Sequence, residues 1–266
     1  MEMPDKMIFY LGPRGSFSHE VAEALGQEVK PERSISAIFQ KVVETDQRGV
    51  VPIENSIEGP VNETLDGLFI HDDVYITRSI DFPIEIFLAS KAEIKNIERV
   101  YSHPHAIAEA REFLEKMDNI EVISTVSTSE AADLASRDDK GAALCSKRAA
   151  TEYELKHMVK IDPETPNITR FIVISRERNT DGSRHSIISI IPDEPGSLYD
   201  LIGVFSDRRI NMNMIYSRPL RNNIWKYYFY IEFSGKFDVS LMESLKDRSI
   251  KLFYKGSFDP VQYKSQ

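Results

Sequence analysis

Asn167-Ile168-Thr169-Arg170-Phe171 sits between a turn-rich run, Asp162-Pro163-Glu164-Thr165-Pro166, and an apolar run, Phe171-Ile172-Val173-Ile174. The prolines exclude helix interior on the first side, because proline lacks an N–H and clashes with the preceding turn. The apolar side is β-branched and short, as a buried strand is. Thr169 and Arg170 are therefore expected where a loop enters a strand of a sheet, with a hydroxyl and a guanidinium facing a cleft. An ordinary loop-to-strand junction has the same pattern. Asn167-Ile168-Thr169 also matches the glycosylation sequon, a reading set aside because no secretory signal precedes it.

Working outward, 266 residues suggest two domains at roughly 100–200 residues each. A charged fraction of 28% and a hydrophobic fraction of 41% are ordinary for a globular protein. The net charge of −9 argues against non-specific binding to nucleic acid, so an anionic ligand would need a few donors gathered in one cleft. One cysteine, Cys145, excludes an intrachain disulfide framework. No apolar run reaches the ~18 residues that span a bilayer, and the start lacks a signal-peptide pattern, so the expected compartment is the cytoplasm.

Met7–Leu11 reads as a first buried strand, and Gly12-Pro13-Arg14-Gly15 as a tight turn. Ser16-Phe17-Ser18 leads into a helix from about His19 to Leu25, stopped by Gly26. The glycines do not have dinucleotide-fingerprint spacing, although a helix start there offers N–H groups to an anion. A helix is expected over Ser36–Arg48, then a strand over Gly49–Ile53 that runs into Glu54-Asn55-Ser56-Ile57-Glu58. Polar side chains directly after a buried strand occupy the place where open α/β sheets bind ligands. A capped turn before a helix over Asn62–Phe69 fits the same residues.

Strands follow over Val74–Thr77, Ile84–Ala89 and Arg99–Tyr101, with Phe82-Pro83 as a crossover into a second lobe. Pro104 suits the first position of a helix whose apolar stripe runs from Ala106 to Met117. His103-Pro104-His105 lacks a second ligand group at metal-site spacing, so no metal is expected. After a strand at Val122–Ser124, Ser127-Thr128-Ser129-Glu130 has capping-box spacing. Gly141–Leu144 reads as a buried strand, Cys145 as a buried thiol, and Ser146 as the cap of a helix over Lys147–Tyr153. Repeated βα units with a return strand at Phe171–Ser175 suit two α/β lobes around a cleft.

Arg176–Arg184 is polar and turn-rich, a domain boundary. Beyond it the order is strand (Ser186–Ile191), helix (Pro195-Gly196 through Phe205), strand (Ile210–Tyr216), strand (Trp225–Phe233), helix (Val239–Lys246), strand (Ile250–Tyr254). That βαββαβ order predicts a four-stranded antiparallel sheet with two helices on one face, open to pairing with a second copy.

Five stretches, in this order, resemble the prephenate dehydratase family. They are Gly12-Pro13-Arg14-Gly15-Ser16-Phe17-Ser18, Val51-Pro52-Ile53-Glu54-Asn55-Ser56, Ser102-His103-Pro104, Ser127-Thr128-Ser129-Glu130-Ala131-Ala132 and Asn167–Phe171. Pro195-Gly196-Ser197-Leu198 and Ser217-Arg218-Pro219 resemble motifs of the ACT domain, a small regulatory fold that binds amino acids. The resemblance implies an α/β, two-lobed, periplasmic-binding-protein-like catalytic domain over 1–178, its second lobe at about 83–160. An α+β ferredoxin-like ACT domain over 184–262 follows. The chain starts at the first strand, so the chorismate mutase domain fused to some relatives is expected to be absent.

The implied reaction turns prephenate into phenylpyruvate, water and CO2, with aromatisation as the driving force and no cofactor or metal. The site must help the ring hydroxyl leave. It must also hold the ring carboxylate without over-stabilising it, because that charge disperses in the transition state. The family places Thr169 at the leaving hydroxyl, and because a threonine is a weak acid a relay through Glu54 or water would assist it. Asn55, Ser56, Ser127 and Thr128 are neutral donors suited to the ring carboxylate, Arg170 or the turn at Ser16-Phe17 would bind the side-chain carboxylate, and Phe171 would pack on the ring. Ser16, Phe17, Glu54, Ser56, Ser102, Ser127, Thr128, Glu130 and Asn167 would contact substrate. Gly196, Ser197, Leu198, Asn211, Arg218 and Pro219 would hold L-phenylalanine as effector, in a homodimer or homotetramer joined through ACT domains. His105 and Glu109 stand where the family carries glutamines, Ser197 where alanine is common, and Tyr216 where the regulatory motif carries glutamate. Arogenate dehydratase is the rival enzyme, and a non-catalytic amino-acid-responsive sensor built on a solute-binding fold is the rival of another class.

Overall fold

The structure, a computed structural model, describes residues 6–26, 28–162, 165–220 and 226–263. Pro163, Glu164 and Trp225, which figure in the expectations above, lie outside the described residues, as do residues 1–5. Along the chain, β1 (Ile8–Leu11) leads to α1 (Phe17–Leu25) and β2 (Val29–Glu32). Then come α2 (Ile35–Thr45), β3 (Arg48–Asn55), β4 (Gly59–Pro60), α3 (Asn62–Ile70) and β5 (Tyr75–Pro83). The middle runs β6 (Ile86–Ser90), β7 (Arg99–Ser102), α4 (Pro104–Glu109), α5 (Arg111–Leu114), β8 (Glu121–Ser124), α6 (Thr128–Ser136), β9 (Gly141–Cys145), α7 (Lys147–Glu152), β10 (His157–Ile161) and β11 (Ile168–Ser175). The last part is β12 (Arg184–Ile190), α8 (Ser197–Asp207), β13 (Met212–Pro219), β14 (Tyr227–Ser234), α9 (Val239–Asp247), β15 (Lys251–Phe258) and β16 (Pro260–Gln262).

Two compact units divide the chain: Met1–Ser34 with Phe82–Thr169, and Ile35–Asp81 with Arg170–Gln266. In the first, β1 and β2 pair in parallel, and a five-stranded sheet has the order β10-β6-β9-β7-β8. β9 shows why that sheet is covered twice. Successive side chains of a strand face opposite ways. Ala142 and Leu144 join Leu88, Val100 and Ala106 on one face, while Ala143 and Cys145 join Ala131, Ala132 and Ala135 on the other. An all-apolar strand is what two buried faces require.

In the second unit, β16, β5, β11 and β3 lie side by side, with β4 antiparallel to β3. A separate antiparallel sheet has the order β13-β14-β12-β15, the βαββαβ arrangement read from the sequence. One face of that sheet takes α8 and α9 through Ile187, Ile231 and Phe233 against Leu201, Phe205, Leu241 and Leu245. The alternate side chains of β14, Tyr228, Tyr230 and Glu232, are buried on the opposite face. β15 also comes close to Ile76 of β5: a Cβ on Gly256, at φ +118°, would overlap the Ile76 carbonyl oxygen, so no side chain fits there. β15 ends the four-stranded sheet at Phe258, and Pro260–Gln262 pairs with β5.

Several boundaries differ from the sequence reading. α2 stops at Thr45, because Asp46 takes φ +54°, and Arg48 joins β3. The helix expected through Met117 is broken at Ala110 (φ −88°, ψ 7°) into α4 and α5. β11 begins at Ile168, so Thr169 and Arg170 lie within the strand instead of at its mouth. β2, β10 and β16 escaped prediction: β2 contains Pro31, tolerated at an edge, and β10 is mostly exposed. Among the described residues, no helix is long and apolar enough to cross a membrane.

Candidate functional site

In the first unit, the polar candidates are tied largely to nearby backbone. Ser16 caps α1: its hydroxyl accepts the His19 N–H at 3.3 Å and donates to the Leu11 carbonyl at 3.1 Å. Gly15, at φ +79°, donates its N–H to His19 Nδ1 at 3.0 Å. Since Nδ1 accepts, the ring proton belongs on Nε2, which faces Glu23 at 3.1 Å. Burial lowers the pKa of His19, and its ring stacks on Tyr10. Phe17 packs obliquely on Phe82.

Ser102 is fully buried and donates to the Leu144 carbonyl at 2.8 Å. Ser127 caps α6 by accepting the Glu130 N–H at 3.0 Å, and Glu130 accepts the Val126 N–H at 2.8 Å. Thr128 is the first residue of α6. Ser146 caps α7 and donates to the Gly15 carbonyl at 3.2 Å, bracing the first turn. Asn167 donates from Nδ2 to Glu109 at 2.8 Å. Burial raises the pKa of Glu109 against the opposing effect of that bond. Thr169 is half-buried on β11. Cys145 is buried, which pushes its thiol up to about 12 and leaves it a poor nucleophile.

In the second unit, the candidates are held by charge. Asn55 shapes the β3–β4 turn, its Oδ1 accepting the N–H groups of Ile57 (2.9 Å) and Glu58 (3.0 Å), with Ser56 exposed between strand and turn. Glu54 accepts the Tyr216 phenol at 2.9 Å on one oxygen and meets Arg170 Nη1 at 3.2 Å with the other. Arg170 Nε donates to Asp81 at 3.1 Å, and Nη1 lies 3.6 Å from Glu232. Three carboxylates therefore surround Arg170. A guanidinium so compensated is poorly placed to take a substrate carboxylate, the role considered for it. Phe171 is 2% exposed and belongs to the core.

Glu232 is fully buried and accepts the Tyr230 hydroxyl at 2.7 Å. Burial raises its pKa, against the pull of Tyr230 and then Arg170. Burial, and then the bond to Glu54, push Tyr216 up to about 12. Arg218 grips Asp66 of α3 through Nε (3.2 Å) and Nη2 (2.9 Å), and Tyr228 donates to the same carboxylate at 2.7 Å. Lys255, fully buried, donates to the His71 carbonyl at 2.8 Å at the end of α3. Burial pulls its pKa down to about 8.

A cavity of about 300 Å³ opens at the start of α8. Gly196, Ser197 and Leu198 line it, together with Asp193, Glu194, Tyr227 and Phe229. Asn211 and Pro219 are not among its lining residues, nor is Arg218, whose guanidinium is committed to Asp66. Sequence reasoning missed His19, Asp66, Glu232 and Lys255. The last two carried a signal: a charge in the middle of an apolar, aromatic strand must find a hydrogen-bond or ionic partner when buried.

An α/β chain with polar groups on its strands and helix starts, followed by a βαββαβ module with a small cavity, has the build of an α/β enzyme carrying a second, smaller module. A sequence model of the prephenate dehydratase family matches residues 8–179. The bifunctional chorismate mutase/prephenate dehydratase of Aquifex aeolicus is 37% identical over 265 residues, 94% of this chain and 73% of the relative. The prephenate dehydratase of Lactococcus lactis subsp. cremoris is 36% identical over 250 residues, 88% of each chain. The crystal structure of the Arthrobacter aurescens prephenate dehydratase, in complex with L-Phe, has a TM-score of 0.82 at 25% identity, covering 95% of this chain and 90% of that one. The chain belongs to the prephenate dehydratase family. Its reaction is the decarboxylating dehydration of prephenate to phenylpyruvate, in phenylalanine biosynthesis.

Proposed function

We propose that Thr169 assists departure of the ring hydroxyl, and that the ring carboxylate is served by neutral donors, for which Asn55 is the candidate in the second unit and Ser127 and Thr128 are the candidates in the first. Neutral donors suit a charge that disperses as CO2 leaves. Both Glu54 oxygens already have a donor or cation, which favours water over Glu54 as the proton source. The observation that carries this reading is the family match over residues 8–179, which includes the Asn167–Phe171 run. The catalytic part spans 1–178 and the regulatory ACT module 184–262, in a cytoplasmic oligomer of like chains.

L-Phenylalanine is the effector, and the cavity at α8 is its site. Tyr227 and Phe229 offer aromatic walls, Asp193 and Glu194 offer carboxylates for an ammonium, and the start of α8 offers N–H groups for a carboxylate. Glu194 and Asp193 thereby replace the acceptor lost where Tyr216 stands for glutamate.

Phenylpyruvate formation from prephenate, measured with and without L-phenylalanine, tests this reading. Turnover falls as L-phenylalanine rises, and Thr169→Val lowers turnover by about 10²–10⁴-fold with the fold intact. Near-normal turnover of Thr169→Val removes Thr169 from the chemistry, and indifference to L-phenylalanine removes the effector. One observation favours a second substrate: Glu109, an acid bonded to Asn167 two residues before Thr169, suits the ammonium of arogenate. The same assay with arogenate decides it.

A further inference from the structure

The charged cluster of the second unit joins segments far apart in sequence. An apolar side chain could fill the buried position of Glu232 without an ion's desolvation penalty. Instead, Glu232 on β14 lies 3.6 Å from Arg170, and Arg170 lies 3.2 Å from Glu54, which accepts from Tyr216 on β13 at 2.9 Å. Tyr230 fixes the other oxygen of Glu232 at 2.7 Å, and Arg184 approaches at 4.0 Å. Arg170 is the chain neighbour of Thr169, and Glu54 the chain neighbour of Asn55. Neighbours on a strand project to opposite faces, so locking one sets the rotation at which the strand presents the other.

We propose that Glu232 and Tyr216, both in the C-terminal module, are positioning residues for the dehydration. They fix Arg170 and Glu54, and through these hold Thr169 and Asn55 at their working geometry. The proposal rests on the reading that Thr169 and Asn55 act on substrate. Tyr216 is suited to this role where glutamate would not be. A phenol donates to Glu54, whereas a carboxylate at 216 would face a second carboxylate. The βαββαβ module is thereby part of the scaffold of the catalytic strands as well as a ligand-binding domain.

The test is steady-state kinetics of the full-length chain on prephenate for Tyr216→Phe, Glu232→Gln, their combination and Thr169→Val. Circular dichroism at the assay temperature establishes the folded fraction. Tyr216→Phe and Glu232→Gln each lower kcat about tenfold or more, because small displacements of reacting groups are costly, while KM stays within about twofold. The combined loss is smaller than the product of the two, as expected for members of one network. If both single variants keep the wild-type kcat per folded molecule while Thr169→Val is inactive, positioning is wrong and the role of Thr169 stands. If Thr169→Val turns over like wild type, the underlying reading fails and this proposal fails with it. Should Glu232→Gln not fold, Tyr216→Phe decides alone, since it removes one hydroxyl from a half-buried ring.

Discussion

Candidate residues of the first unit and those of the second are held by different forces. In the first, Ser16, Ser127 and Ser146 cap helices, and their key acceptor bonds reach three residues along the chain. In the second, Tyr216 reaches Glu54 across 162 residues and Arg218 reaches Asp66 across 152. A cap is a neutral bond between residues close in sequence, and at Ser127 it is exposed, where a neighbouring water can replace it. The Arg170 cluster contains a carboxylate with no exposure at all. Burial makes its partners far harder to replace than any cap. The first kind of site draws its caps from local sequence, and Ser102, Ser146 and Asn167 add bonds to residues 42, 131 and 58 positions away. The second exists only when the C-terminal module has folded onto β3 and β11.

Three substitutions separate the two kinds, beginning with the most costly. Arg170→Met leaves Glu232 buried with Arg184 as its remaining cation, and should destabilise the protein by about 3 kcal/mol in urea unfolding. A loss well under 1 kcal/mol would erase the distinction between the regions. Lys255→Met sharpens it through pH. Unfolded lysine keeps its proton to about pH 10.4, whereas folded Lys255 releases it near about 8. The unfolded state therefore binds more protons between those values, and stability rises with pH across that window. Wild type should gain about 2 kcal/mol on Lys255→Met between pH 8 and pH 10. A difference that stays flat with pH means that Lys255 does not titrate in this range. Ser127→Ala, which removes only a cap, should cost about 1 kcal/mol in the same unfolding measurement and show no such pH dependence. A much larger loss would show that Ser127 supports more than α6.

Much of the fold was legible because its signals are periodic or local. The run Gly141–Leu144 announced a buried strand, which extends to Cys145, and Pro195-Gly196 announced the start of α8. Ser127 and Ser146 were read as caps from spacing, and both are caps. Breaks in pattern were harder to read. Nothing local foretold that Asp46 would take a left-handed conformation and end α2, or that the stripe from Ala106 to Met117 would split at Ala110. β2, with its proline, and exposed β10 carry weak strand signals, and pairing with β1 and β6 makes them strands. Of the site, the residue types were legible, but not their commitments. Arg170 reads as a free cation until Glu54, Asp81 and Glu232 are found around it.

The sequence by itself determined most of the order of strands and helices, β2, β10 and β16 excepted, together with the βαββαβ module, the capping serines and the membership in the prephenate dehydratase family. Those properties follow from hydrophobic period, turn chemistry and short motifs, all encoded within a few residues. The tertiary structure decided that Arg170 is surrounded by carboxylates, that Tyr216 serves Glu54, that Arg218 serves Asp66, and that Lys255 is buried at the end of α3. Those pairings join residues that are distant along the chain. Desolvation fixes their energies, and desolvation is set only once the surrounding segments have packed.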